Sequence, residues 1–413
     1  MKIALITLGC RTNQAESLQL EHNLQDLGHQ VVDLDDRPDV CIINTCAVTL
    51  KADCQSRQLI NKALKRSIKV IATGCYTELN ASKLTLSQEN LLIIRNPEKD
   101  KIINLFSKNI QTDDLITQQS FKHRPIVKVQ DGCNYSCSYC TIPMARGRSR
   151  SLPFEDILEV IQRYESLGHN EIVLTGIHLG TYGLELKDKR LLPGLLKDIL
   201  RETKIKRIRL SSLEVREIGD ELIELLQDNR LCKHLHIPLQ SGDNNILTLM
   251  NRMYTREEFA SGLDKIIRKI PDISMGTDVI VGFPGEGETE FSTTKSFIEE
   301  MPFSYLHVFP YSSRPGTRAA KLPGHTPDAI KKTRVSVLRE IGAAQKKAYL
   351  ERNVGKSLDI ILEEHSTEGY LGTTGNYIKA LVENKQGLRT GMLVNIGISE
   401  IRKTLAIGIL LNN

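Results

Sequence analysis

The chain has 413 residues, too many for one ordinary compact domain, so two or three domains are expected. Forty per cent apolar residues is enough for true cores, no stretch approaches the roughly 20 apolar residues of a membrane helix, and the apolar run at Met1–Leu8 is too brief for a secretory h-region, so no export signal is expected. These features favour a cytoplasmic protein with no membrane role, and the net charge of +5 is too mild to announce a nucleic-acid binder by itself.

The first hundred residues alternate apolar runs with helical patterns. Strands are expected at Ile3–Leu8, Val40–Asn44, Lys69–Thr73 and Leu91–Ile94, with helices over Ala15–Leu27 and Asp53–Lys65. Such alternation implies a doubly wound parallel sheet. Residues 107–124 turn polar and lose periodicity, as a linker would. A second alternating run follows, with strands near Ile126–Gln130, Glu171–Thr175, Arg207–Leu210, His234–Pro238, Ser274–Val281 and Ser304–Phe309. Helical patterns separate them at Phe154–Leu167, Leu191–Arg201, Arg216–Asp228, Arg256–Lys269 and Glu288–Glu300, which predicts a full or partial TIM-like (β/α)6 barrel. A basic helix over Thr333–Tyr349 leads into a glycine-rich, all-strand segment, Gly355–Asn413, that reads as a small β-barrel. The expected division is therefore an α/β domain at 1–106, a linker at 107–124, a barrel at 125–343 and an all-β module at 344–413.

Nine cysteines, an odd count without an export signal, point to a reducing compartment where grouped cysteines bind metal or do chemistry. Cys10, Cys46 and Cys75 each follow an expected strand of the first domain. If those strands are neighbours, all three converge at the sheet edge where such folds place ligands. Burial as three inert thiols is the alternative. Cys41, Cys54 and Cys232 lack partner spacing and read as packing residues.

The densest signal is Cys133-Asn-Tyr-Ser-Cys137-Ser-Tyr-Cys140, which leaves the first barrel strand. Four-iron clusters are usually held by four thiolates, so three in one tight loop would leave an iron open to a small chelating ligand. Zinc competes, but structural zinc sites close with four ligands, and only His123 or His178 offers itself as the fourth. Around the loop, between Phe121 and Arg150, six Lys/Arg accompany one acid, Asp131, an excess equal to the net charge of the whole chain. A solvated loop or a landing strip for an anionic substrate would both look like this.

The C-x-x-x-C-x-x-C loop resembles that of the radical S-adenosylmethionine superfamily. With Cys10, Cys46 and Cys75 ahead of it and a small β-barrel behind, the whole chain resembles the methylthiotransferases. Leu8-Gly-Cys-Arg-Thr-Asn-Gln-Ala-Glu-Ser17, Ile142-Pro-Met-Ala-Arg-Gly147, Leu174–Gly183 and His234–Gly242 are similar to the branch acting on threonylcarbamoyladenosine in tRNA. The resemblance implies two [4Fe–4S] clusters, one on Cys10, Cys46 and Cys75 carrying sulfur, the other on Cys133, Cys137 and Cys140 cleaving S-adenosylmethionine. It also implies that one S-adenosylmethionine methylates the sulfur, and that a second yields a deoxyadenosyl radical that takes hydrogen from C2 of the adenine. The implied partners are the tRNA anticodon stem-loop, an external flavodoxin-like or ferredoxin-like electron donor, and a sulfur source. Gly369–Tyr377 and its flanking glycines resemble the TRAM module, an RNA-binding barrel.

Beyond the cluster ligands no catalytic side chain is singled out. The residues expected to meet S-adenosylmethionine are Tyr139, Thr175, Gly176, Ser211, Glu214, Gln240 and Asp278, although turn chemistry would explain several of them equally. Arg146, Arg148 and Arg314 are the candidates for gripping substrate phosphate or carboxylate. Competing readings are a methylthiotransferase for isopentenyladenosine or for a ribosomal-protein aspartate, and a non-catalytic, metal-stabilised RNA-binding protein.

Overall fold

The computed structural model describes residues 1–84, 90–106 and 123–411, so the expected linker at 107–124 falls almost wholly outside the described residues. The chain divides into two compact units. The first holds the described residues of Met1–Phe121 with Asp131–Arg150 and Ser312–Thr317; the second holds those of Lys122–Gln130, Ser151–Tyr311 and Arg318–Asn413.

In the first unit, β1 (Lys2–Thr7), β2 (Gln30–Val32), β3 (Val40–Thr45), β4 (Lys69–Gly74) and β5 (Leu91–Ile93) form one parallel sheet in the order β2-β1-β3-β4-β5. β3 is buried along its whole length, as expected for a central parallel strand covered on both faces. The crossovers carry α1 (Arg11–Asp26), α2 (Leu50–Leu64) and α3 (Cys75–Leu84), each starting within a few residues of the end of β1, β3 or β4. The segment Asp131–Arg150, with the short helix α4 (Ile142–Arg146), packs as part of this unit. The chain passes between units within the two-residue strands β7 (Gln130–Asp131) and β8 (Arg150–Ser151), and again after Tyr311 and after Thr317.

The second unit begins with β6 (Ile126–Lys128). It continues through α5 (Phe154–Ser166), β9 (Glu171–Thr175), α6 (Leu192–Glu202), β10 (Arg207–Leu210), α7 (Asp220–Leu225) and β11 (His234–His236). Then come α8 (Asn244–Leu249), α9 (Arg256–Lys269), β12 (Ser274–Val281), α10 (Glu288–Glu300) and β13 (Tyr305–Pro310). Three-stranded parallel sheets, β10-β9-β6 and β11-β12-β13, meet where the Cys232 amide donates to the Ile208 carbonyl at 2.9 Å. The six expected strands thus form an arc, and no pairing among the described residues closes β6 on β13, so the barrel is partial. The helices bury one stripe against it; in α5 that stripe is Ile157, Ile161 and Tyr164.

The expected helix over Arg216–Asp228 is instead a 3-10 turn at Val215–Glu217 followed by the short α7, because Gly219 sits in extended backbone at the α7 N-cap. After α11 (Asp328–Glu351), the strands β14 (Ser357–Ser366), β15 (Gly369–Thr374), β16 (Lys379–Val382), β17 (Leu393–Arg402) and β18 (Leu405–Leu410) close into a barrel in the order β14-β15-β16-β18-β17. Among the described residues no helix is long and apolar enough to cross a membrane.

A buried ionic cluster fastens the two barrels of the second unit. Glu171, at 0% exposure, accepts from Arg207 Nε at 2.7 Å and Arg209 Nε at 2.9 Å. The same guanidinium groups reach into the closed barrel: Arg207 to Asp359 at 3.0 Å and Thr373 O at 2.9 Å, Arg209 to Thr374 O at 2.9 Å and Gly375 O at 3.1 Å. Burial works strongly against an ionised Glu171, but Arg209, Arg207 and Arg124 outweigh it and hold its carboxyl down at about 2. Because this pKa is depressed on folding, the stabilisation is complete above the unfolded carboxyl range and is lost as pH falls from about 4 towards 2. Glu171→Gln is expected to cost about 3 kcal/mol at neutral pH by stranding buried guanidinium groups, and to flatten the acid limb of a stability–pH curve measured by chemical denaturation.

Candidate functional site

Three strand–turn–helix units converge in the first unit. Cys10 is the N-cap of α1, Cys75 opens α3, and Cys46 lies three residues before Thr49, the N-cap of α2. They follow β1, β3 and β4, which are adjacent in the sheet, so all three thiols leave one edge beside helix N-termini, where the dipole favours negative charge.

Glycine makes the close approach possible. Gly9 and Gly74 sit at φ +99° and +98°, and a Cβ on Gly9 would lie 2.6 Å from Cys46 Sγ. Asn13 links two of the turns, its side-chain amide donating to Leu8 O at 2.7 Å and Thr45 O at 3.0 Å. The thiols also feel one another. Burial, the largest cause, pushes Cys46 up to about 11, the Val48 backbone hydrogen bond opposes it, and Cys10 and Cys75 add to it. Cys75 is raised by burial and drawn back by Arg146 and Lys99.

The C-x-x-x-C-x-x-C segment belongs to the same unit. Its turn closes through Cys133 N–Gly147 O and Cys140 N–Cys137 O, each 3.1 Å, and the Tyr135 and Ile142 amides point at Cys133 Sγ and Cys140 Sγ at 3.4 Å. Gly132 must be glycine: at φ +71°, a Cβ would lie 2.1 Å from Arg148 O. Three thiols with amide donors aimed at two of them, in a glycine-shaped loop, fit a cluster held on one face. Three further thiols behind a glycine cradle fit a second.

Arg146 is 2% exposed, whereas Arg148 and Arg150 are exposed. Its guanidinium donates to Glu16 Oε1 and Asp131 Oδ1, both at 2.8 Å, and to Asn13 Oδ1 at 2.5 Å. Glu16 also accepts from Lys99 at 2.5 Å, and Asn96 donates to Ala145 O at 2.7 Å. The loop carrying Cys133, Cys137 and Cys140 is therefore pinned to α1, whose N-cap is Cys10. Arg314 is 4% exposed and donates to both oxygens of Asp53 at 2.9 and 2.8 Å, while its Nε and Nη1 have no partner among the described residues.

In the second unit, Thr175, Ser211, Gln240 and Asp278 lie at or near strand ends on the mouth side. Thr175 O accepts from Val129 N at 2.9 Å, and a Cβ on Gly176 would lie 2.7 Å from Gln130 Oε1. Ser211 Oγ is buried without a partner among the described residues. Glu214 pairs with Arg252, and Gln240 holds a left-handed φ of +66°. Asp278 accepts from His236 and His307, each at 3.0 Å; burial is the largest influence and opposes ionisation, yet these contacts hold the carboxyl at about 2. His178, offered above as a zinc ligand, is buried against Glu217 at 2.5 Å. Tyr139 belongs to the first unit with the cysteine loop.

A family model described as the radical SAM superfamily matches residues 127–298, and one described as uncharacterized protein family UPF0004 matches residues 2–94. The threonylcarbamoyladenosine tRNA methylthiotransferase MtaB of Aquifex aeolicus is 39% identical, over 90% of this chain and 96% of that protein. The chain belongs to the radical S-adenosylmethionine methylthiotransferase family. MtaB of Bacillus subtilis is 34% identical over 96% and 93% of the two chains, and a tRNA-2-methylthio-N(6)-dimethylallyladenosine synthase of Thermotoga petrophila is 33% identical over 89% and 88%. The solved structure of the radical S-adenosylmethionine methyltransferase TsrM from Kitasatospora setae aligns with TM-score 0.58 at 14% identity, over 77% of this chain and 73% of that one, a likeness of fold.

Asn13, Glu16, Asn44 and Lys99 escape the sequence reading of this methylthiotransferase, and so do the histidines around Asp278. The legible signal was polar Thr12, Asn13 and Ser17 on the buried side of α1, where an amphipathic helix should be apolar. Gly9→Ala is expected to destabilise the enzyme by roughly 2 kcal/mol, seen as a lowered thermal midpoint, because strain and a clash add. Gly28→Ala, at φ +72° with open space around it, carries the strain alone and should cost less.

Proposed function

We propose that this methylthiotransferase acts on tRNA in the cytoplasm, inserting a methylthio group at C2 of N6-threonylcarbamoyladenosine next to the anticodon. The observation that carries the reading is the pairing, within one compact unit, of three thiols on adjacent strand ends with a C-x-x-x-C-x-x-C loop pinned to the first of those turns. The substrate branch is supported by five relatives named threonylcarbamoyladenosine tRNA methylthiotransferase at 32 to 39% identity; those named dimethylallyladenosine synthase stand at 30 to 33%.

In this reading Cys10, Cys46 and Cys75 hold one [4Fe–4S] cluster and Cys133, Cys137 and Cys140 the other. Bound there, the two clusters would supply the sulfur and the one-electron cleavage of S-adenosylmethionine. The chain's own contribution is placement and electrostatics. Helix N-termini and the Arg146–Lys99 pair offset the negative charge that deprotonated thiols bring into a buried site. Ser211 offers a hydroxyl with no partner among the described residues, Thr175 and Gly176 offer backbone, and Tyr139, Glu214, Gln240 and Asp278 complete the set proposed to orient S-adenosylmethionine. Arg314 has two donors without a partner among the described residues that could meet a phosphate or carboxylate oxygen, Arg148 is an exposed cation, and Arg146 is proposed to act on substrate only through the loop it holds. A flavodoxin-like or ferredoxin-like protein would deliver electrons, and a separate sulfur source would restore the transferred atom.

Deleting the gene should abolish 2-methylthio-threonylcarbamoyladenosine in tRNA, as read by nucleoside mass spectrometry; its persistence would sink the assignment. Cys10→Ala should lower iron from about eight to about four per chain and stop methylthio transfer while S-adenosylmethionine cleavage persists.

A further inference from the structure

We propose that a groove along α11 binds a single-stranded stretch of the RNA substrate, seating one nucleobase against Tyr305 and Tyr377; the proposal rests on RNA being the substrate. At the start of β13 lies a cavity of about 390 Å³ between β13, α11 and the closed barrel. Arg339, Lys346, Lys379 and His307 line it, and no Asp or Glu does. Lys379 shares its charge with Glu363 at 2.9 Å, but Arg339 and Lys346 have no ion pair among the described residues. A cavity walled by cations, with no anion of its own, fits an anionic ligand.

The other wall says which anion. Tyr305 and Tyr377 stand with ring centroids 5.4 Å apart, and Tyr305 lies 5.2 Å from His307. The wall is braced before any ligand arrives: His234 stacks on Tyr377 at 4.2 Å and bonds Tyr305 Oη at 2.9 Å. Rigid rings beside cations are the chemistry of an unstacked base with its phosphates, since every base offers a π-face. A bare phosphate would not need the rings.

The groove continues past this cavity. A second one, of about 580 Å³, shares Arg339 and Ala343 with it and reaches Pro310, the last residue of β13, adding Lys332 and a single acid, Glu340. Lys332, Arg339 and Lys346 recur every seven residues, so they form one stripe on α11 with about 10 Å between neighbours. The cation ladder therefore runs from the mouth end of β13 to the closed barrel. Such a ladder would hold the strand flanking a nucleoside that has left the stack to react.

The test measures binding of a synthetic RNA anticodon stem-loop to the cluster-loaded enzyme across a salt series. Arg339→Gln with Lys346→Gln should raise Kd about tenfold or more and reduce the slope of log K against log salt by about two. Tyr305→Leu should weaken binding about tenfold with the slope unchanged, as loss of stacking predicts. Lys347→Gln, whose lysine pairs with Glu351 on the same helix, should change neither. Wild-type Kd and slope in the double variant would overturn the groove, and so would an equal effect of Lys347→Gln, which would mean general surface charge. Wild-type enzyme that ignores the RNA but binds a protein substrate would instead overturn the RNA reading itself. Unchanged iron content in each variant guards against misfolding.

Discussion

Because β1, β3 and β4 pair in parallel, every chain segment leaving them exits at the same edge of the sheet and must turn straight into a covering helix. That constraint puts Cys10, Cys46 and Cys75 together although 65 residues separate the first from the last. It also dictates the glycines. A turn that leaves a strand and brings a thiol against its neighbour needs left-handed backbone and no side chain, as Gly9 and Gly74 provide.

Convergence of thiols creates an electrostatic difficulty, since three thiolates in a mostly buried pocket repel one another and lack water. The chain answers with alternating charge. Arg146 and Lys99 stand near Cys75, Glu16 and Asp131 neutralise the cations, and Asn13 and Asn44 accept further hydrogen bonds from them. A half-satisfied network of this kind would be worse than an apolar core, so its members are tied to one another energetically. The same network fixes the position of the C-x-x-x-C-x-x-C loop relative to the first three thiols.

Much of this was legible in the residues. Each of the six strands of the partial barrel lies close to its expected place, because apolar runs between helical repeats leave few alternatives. β2 was missed: three residues at a sheet edge, none of them buried, carry almost no pattern. α3 was missed because its buried residues, Cys75, Tyr76 and Thr77, are consecutive and show no helical period. The cysteines were found by spacing and position, but their supporting shell was not. Arg146 looks like Arg148 and Arg150 in sequence, and what buries it, Glu16, lies 130 residues away in the chain. Pattern reports periodicity within a segment; it carries no information on which distant carboxylate a cation will meet.

The cluster centred on Glu171 has a thermodynamic consequence for recognition. An RNA-binding module on a flexible tether must be brought to heel each time it engages, and the lost freedom subtracts from affinity. Here Arg207 and Arg209 reach from the radical barrel to five acceptors on the closed barrel, two on Asp359 and the carbonyls of Thr373, Thr374 and Gly375, and Tyr377 packs on His234 and Arg209. The two barrels are therefore joined as one preformed surface, so a ligand spanning both would find the ordering entropy already spent when the chain folded.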